Sequence, residues 1–450
     1  MNDMSLGENL ADLGAADAAR MIAAGELSSV DLVTACLERI REREPAVQAW
    51  AHLDPEHALE QARQRDMERA SGRPLGPLHG VPVGIKDIFD TIAWPTENGT
   101  VLDAGRRPTQ DAAAVQLLRY AGAVIMGKTV STELAVYGPG KTRNPHNPEH
   151  TPGGSSSGSA AAVAAGMVPL AVGSQTNGSV IRPASYCGVY GFKPTFGRIS
   201  RTGALFLSRF LDHVGVFARS VEDAALIGDA LMAYDPQDPD MTPQGRAGLA
   251  EVAASTPPLE PNLFFVKTAA WDLADDDCKE AFAELVEALG DVCQEQALPG
   301  PFDDAVKVQN MVMNVDLAGS LARYYEGGAD RLSDVLKGMI EDGQKTRAVD
   351  YMGARAWQKI YNDSLNEMFE ECDVILTPAT TGEAPEGLDA TGNPAFCSLW
   401  SFCGVPAITV PLLVGAKGLP IGVQLIGPKG DDARLLRTAR WLIDKVAALA

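Results

Sequence analysis

Three side chains stand where their type and setting make acyl-transfer chemistry possible: one lysine in an apolar run and two serines in glycine-rich turns. Lys86 lies in VPVGIKDIFD, residues 81–90. Among Val83, Ile85, Ile88 and Phe89 a lysine is costly unless it is neutral or paired, and Asp87 is the partner at hand. Ser155 begins the triple serine of GGSSSGS, residues 153–159, where helix capping is the simpler structural role. Ser179 closes SQTNGS. In that turn Thr176, Asn177, Gly178 and Ser179 are small or turn-forming, so successive backbone N–H groups can gather around an oxyanion. A serine among them is a candidate nucleophile wherever a base can reach it.

The elements that position these groups follow from the intervening chain. Residues 160–172 carry almost no side-chain bulk, so a helix over them packs tightly and draws the two serine turns together. Upstream, residues 133–150 form a Gly-, Pro- and Asn-rich loop leading into Gly153, expected to make one wall of the site.

Taken together, GIKD around Lys86, GGSSSGS, and NGSVIRPASYCGVYGFKPT at 177–195 resemble the amidase signature family, serine hydrolases of C–N bonds that use a Ser, cis-Ser, Lys triad. The resemblance implies Lys86 as base, Ser155 as the bridging serine with a cis peptide, and Ser179, twenty-four positions on, as nucleophile. Thr176 to Ser179 would form the oxyanion hole, and no metal or cofactor is implied. The likeness extends to DVILTPATTGEAP at 373–385 and to GVPAITVPL and GLPIGVQLIGPKGDDARLLR near the C-terminus, whereas 235–370 show no recognisable pattern.

Departures from the family pattern bear on the substrate. The common turn TDTGGS reads SQTNGS here, with Gln175 for the acid and Asn177 for a glycine. Arg182 stands three rather than two residues after Ser179, as in the malonamidase branch, where the arginine binds a substrate carboxylate. Against that, GALFLSRFLDH at 203–213 and SLWSF at 398–402 supply large apolar groups for an acyl or aryl moiety. The candidate substrate-binding residues are Arg182, Gly154, Tyr137, Gly138, Phe206, Arg209 and Trp400. The resemblance therefore implies an amidohydrolase for amides, anilides or carbamates, similar to bacterial urethanases. The alternatives are a malonamidase-like enzyme and the glutaminase (A) subunit of a tRNA amidotransferase.

Other motifs are weaker. GAVIMGKT at 122–129 satisfies the phosphate-loop pattern letter for letter, but Ala123 to Met126 are strand formers where a phosphate cradle needs a turn, so a buried strand is expected. His146 and His150 lack a third ligand at useful spacing and read as loop histidines; His213 reads as a structural hydrogen-bonding group.

Composition bounds the rest. A net charge of −21 argues against nucleic acid or an anionic membrane as partner, and no apolar run is long enough to span a bilayer. Seven cysteines without metal-type spacing imply reduced thiols, and the N-terminus lacks a secretory pattern, so a cytoplasmic monomer or homodimer acting on a small molecule is expected. The fold class is α/β: one large, mixed, twisted sheet covered by helices on both faces, in a single domain over 1–450. Within it lie a helical collar over 8–70, a signature core over 77–220, an exposed excursion at 235–261 opening long helices to 371, and a return to the sheet over 372–450. Ser28 and Ser220 are expected helix caps.

Overall fold

The computed structural model describes residues 9–245 and 248–449. Part of the stretch on which the secretory expectation rests, residues 1–8, lies outside the described residues. Eleven strands form one sheet: β1 (Trp50–Leu53), β2 (Pro82–Lys86), β3 (Val124–Thr129), β4 (Leu170–Gln175), β5 (Tyr190–Lys193), β6 (His213–Ala218), β7 (Leu263–Val266), β8 (Cys293–Gln296), β9 (Val374–Pro378), β10 (Ala407–Val414) and β11 (Pro420–Ile426). Their order is β1-β3-β2-β4-β6-β5-β10-β11-β9-β7-β8, so early and late segments of the chain meet at β5 and β10. β3, β2 and β4 run parallel, as do β9, β7 and β8, and the centre is antiparallel. The expected mixed sheet is what the chain forms.

Helices cover both faces because every central strand is apolar on both sides. In β3, Val124 and Met126 face a smaller core built on helices Ala15–Ala24 and Ser29–Val47, while Ile125 faces the larger one with Val83 and Ile85. Ser28 and Ser220 cap as expected, accepting from the amides of Asp31 and Asp223.

Several elements differ from expectation. The small-residue stretch is helical only over Ser157–Ala164; Gly166, at φ 69°, ends the turn and Pro169 blocks its resumption, so 170–175 become β4. Small apolar residues suit a tightly buried helix and a central strand equally. The long helices expected up to 371 are interrupted, one breaking at Leu321 and another at the extended residues Thr346 and Arg347. Within the excursion at 235–261, Leu249–Ala254 is a helix with Leu249 and Ala253 buried. No described helix is long and apolar enough to cross a membrane.

The architecture places Lys86 at the carboxyl end of β2 and the Thr176–Ser179 turn directly after β4, its parallel neighbour. In open α/β sheets this is the edge at which ligands bind.

Candidate active site

Lys86 is fully buried, and its Nζ lies 2.7 Å from Ser155 Oγ and 2.9 Å from Ser174 Oγ. Burial drives its pKa well below the usual lysine value, opposed by the carboxylate of Asp212. Burial thus favours the neutral amine, the form a base needs. Asp87, the ionic partner at hand in the sequence, is engaged elsewhere. Successive side chains on a strand point to opposite faces, and Lys128 of β3, in register with Ile85, reaches Asp87 at 2.9 Å. The lysine of the phosphate-loop-like motif is thus a structural cation on a buried strand, also donating to Pro95 O and Thr96 Oγ1. His52, Asp87 and Glu97 approach one another closely enough to suggest a metal, but the Lys128 ammonium already supplies the positive charge there.

Ser155 is fixed from both sides. The Gly154–Ser155 peptide is cis, Ser155 O accepts from the amide of Thr132 at 3.1 Å, and Gly154 O accepts from Arg182 Nη2 at 2.7 Å. A side chain on Gly154 would meet Thr132 Cγ2 and Thr391 Cγ2, both at 2.9 Å, so only glycine fits.

Ser179, 8% exposed, sits at the end of a turn whose geometry is set by its departures from the family pattern. Gln175 Oε1 accepts from the amides of Val180 and Ile181 at 2.9 and 3.0 Å, and its Nε2 donates to Ser401 Oγ at 2.9 Å. An amide thereby does what a carboxylate would do for the start of helix Ile181–Cys187, and donates as well. Asn177 donates to Tyr137 OH at 2.9 Å, accepts from Ser398 Oγ at 2.7 Å, and its carbonyl accepts from Ser401 Oγ. Thr176 Oγ1 donates to Asp212 Oδ1 at 2.7 Å. Gly178 faces Cys397 and Pro394, where a Cβ would come within 3.1 Å of each. The amides of Asn177, Gly178 and Ser179 have no protein acceptor among the described residues, which leaves them available to an oxyanion.

A narrow pocket rises over Ser179, walled by Val136 and Tyr137 on one side, by Leu207 on another, and by Met313 and Leu317 of helix Ala305–Ser320 above. Leu134 and Ala135 take positive φ of 45° and 57°, bending the 133–137 turn so that its far side faces the serine. The lining carries no charged side chain.

The other candidates fall differently. Phe206 is 51% exposed and Arg209 pairs with Asp240 at 3.0 Å; both line a surface groove beyond Leu207 rather than the Ser179 pocket. Adjacent residues of an extended segment face opposite ways, and Leu207 is the one turned inward. Trp400 is buried in helix Ala395–Cys403 away from the pocket lining, while its neighbours Ser398 and Ser401 hold Asn177. Gly138 is buried behind the wall, its carbonyl accepting from the amide of Glu133. Arg182 is 1% exposed, with Nη1 on Gly392 O, Nη2 on Gly154 O and its guanidinium 5.7 Å from the Tyr137 ring centre. It clamps backbone rather than facing the pocket. His146 and His150 bond the carbonyls of Cys187 and Ala384, and His213 bonds that of Leu211 at 2.6 Å. Sequence reasoning missed Ser174, Asp212, Ser398 and Ser401; the first lies within SQTNGS itself and was legible as a polar residue beside the turn.

A buried amine touching a serine hydroxyl, beside a second serine among free amides, is the equipment of a hydrolase acting by acyl transfer. The chain belongs to the amidase signature family: residues 31–436 match the Amidase family model. It is a hydrolase of C–N bonds. It is 34% identical to the glutamyl-tRNA(Gln) amidotransferase (A) subunit of Chloroflexus aggregans over 92% of this chain and 93% of that protein. With the "Putative amidase AmiD" of Mycobacterium tuberculosis it shares 33% identity over 94% and 91% of the two chains. The solved structure of native peptide amidase from Stenotrophomonas maltophilia superposes with a TM-score of 0.85 at 27% identity, covering 97% of each chain.

Proposed function

We propose that the protein is a free-standing amidase cleaving neutral, partly aromatic amides, anilides or carbamates through an acyl- or carbamoyl-enzyme on Ser179. The observation that carries this reading is the uncharged lining over Ser179, apolar at Ala135, Val136, Leu207, Met313 and Leu317, next to a lysine with no carboxylate in contact. Ser155 passes its proton to Lys86 Nζ and takes the proton of Ser179 as Ser179 Oγ attacks the carbonyl carbon. The amides of Thr176 to Ser179 hold the oxyanion. On collapse the C–N bond of an amide or anilide breaks and the proton returns from Lys86 through Ser155 to the departing amine; in a carbamate the C–O bond breaks instead and the departing alcohol takes that proton. Water then enters by the same relay and releases the acid, or a carbamic acid that loses carbon dioxide to give the amine.

The pocket weighs against both alternatives. Glutamine and malonamate bring charges that its lining does not meet, and Arg182 is committed to two carbonyls. The amidotransferase reading keeps one specific support, the likeness to the Chloroflexus protein over nearly its whole length. A panel of an aliphatic amide, a nitroanilide, an aryl carbamate, malonamate and glutamine, tested with wild type and Ser179→Ala, decides. Amine release from the neutral aryl substrates, lost in the variant, is expected. Turnover of glutamine or malonamate alone would overturn the proposal.

A further inference from the structure

We propose that a second, narrow cavity beside the triad is the binding site of the water that hydrolyses the Ser179 intermediate, and its route from solvent. The inference rests on the reading of Ser179 as nucleophile. The cavity shares Thr176 and Leu207 with the Ser179 pocket, and Arg201, Ala204 and Phe206 with the open surface groove. It therefore adjoins the Ser179 pocket at Thr176 and Leu207 and the open groove at Arg201, Ala204 and Phe206.

Its chemistry suits water. Ser174 Oγ, on its wall, accepts from Lys86 and still has its own proton to give. Asp212 on the same wall is a carboxylate pinned by Thr176 Oγ1 and by the amides of Leu207 and Ser208, positioned to accept one more hydrogen bond. About 20 Å³ of the cavity is open to a sphere of water's size. One water needs roughly 10–15 Å³ on that measure and two to four polar partners. Ile88, Phe89 and Leu205 make the remaining walls apolar.

The position also satisfies the reaction. By microscopic reversibility the attacking water gives its proton to the relay that protonated the departing amine, so it must approach from the relay side. Ser174 and Ser155 are the two hydroxyls on Lys86 Nζ, so a molecule at Ser174 is already on the relay side. An acyl group filling the pocket under Met313 closes the other approach. In the step itself the water oxygen bonds to the carbonyl carbon and its proton passes to Ser155, whose own goes to Lys86. The bond from carbon to Ser179 Oγ then breaks, and Ser179 recovers the proton through Ser155.

The test is Ala204→Leu, which plugs the cavity toward the surface, with Ala204→Gly as the open control and thermal unfolding to confirm both fold. With an aryl carbamate, the plugged variant should keep the burst of phenol release while its steady-state rate falls about tenfold. The open variant should match wild type. Equal slowing of burst and steady state, or no slowing of either, would overturn the water route. An absence of any Ser179-dependent amine release in the wild type would instead overturn the proposed function, so the two failures are distinguishable.

Discussion

Lys86 and Lys128 stand one register step apart on neighbouring parallel strands, both wholly buried, and their surroundings give them opposite characters. Lys128 meets a carboxylate at 2.9 Å, a carbonyl and a hydroxyl. Lys86 meets two hydroxyls and no carboxylate within bonding distance. Burial pulls both pKa values down, but at Lys128 the adjacent Asp87 opposes it, whereas at Lys86 only Asp212 does so without contact. Burial alone thus does not make a base; burial with the counter-ion assigned to another lysine does. The parity of β2 arranges this, since Asp87, one residue past Lys86, is turned to the face from which Lys128 arrives.

Substitution at each lysine should break the comparison in different ways. Lys86→Met is expected to lower kcat by about 10⁴-fold or more while leaving the fold intact, since it exchanges a neutral buried amine for an apolar chain. Activity assays beside thermal unfolding check both halves. Lys128→Met should instead destabilise by about 3–5 kcal/mol, because it strands the Asp87 carboxylate in the core. Adding Asp87→Asn should recover most of that loss in denaturant unfolding, for removing both members of a buried pair is far milder than removing one.

The pH dependence sharpens the contrast. Lys86 has a lowered native pKa, so between that value and the usual 10.5 the unfolded chain binds the extra proton and stability falls as pH falls. Lys86→Met should remove the slope of the wild-type stability profile between that lowered value and 10.5, and wild-type kcat should decline along an acid limb as Lys86 protonates. Smallest is the effect of Ser174→Ala, which removes one of the two hydroxyls on Lys86 and should lower kcat about tenfold with KM little changed.

How much of this was legible depended on whether a residue's surroundings were local in sequence. Lys86 and the two serine turns stood out because polar groups interrupted apolar or small-residue runs. The strand under Lys128 was readable from Ala123 to Met126, but its partner Asp87 came from another strand, and pairing across strands leaves no local mark. Phe206 and Leu207 show a finer limit: the apolar segment was identified, yet which neighbour faces the pocket is a matter of parity set by the anchoring of Asp212. Arg182 was visible as a displaced arginine, while its inward turn depends on carbonyls of Gly154 and Gly392, far apart in the chain. The strand after Gly166 was hidden because Leu170 to Gly173 would suit a buried helix equally well.

The central claim is that Lys86 is neutral where Lys128 is charged. It is tested most directly by ¹³C NMR titration of the lysine Cε resonances, assigned with Lys86→Met and Lys128→Met. The account predicts a neutral amine for Lys86 at pH 7 and an ammonium for Lys128 in the same spectrum. A cationic Lys86 at pH 7 would contradict it.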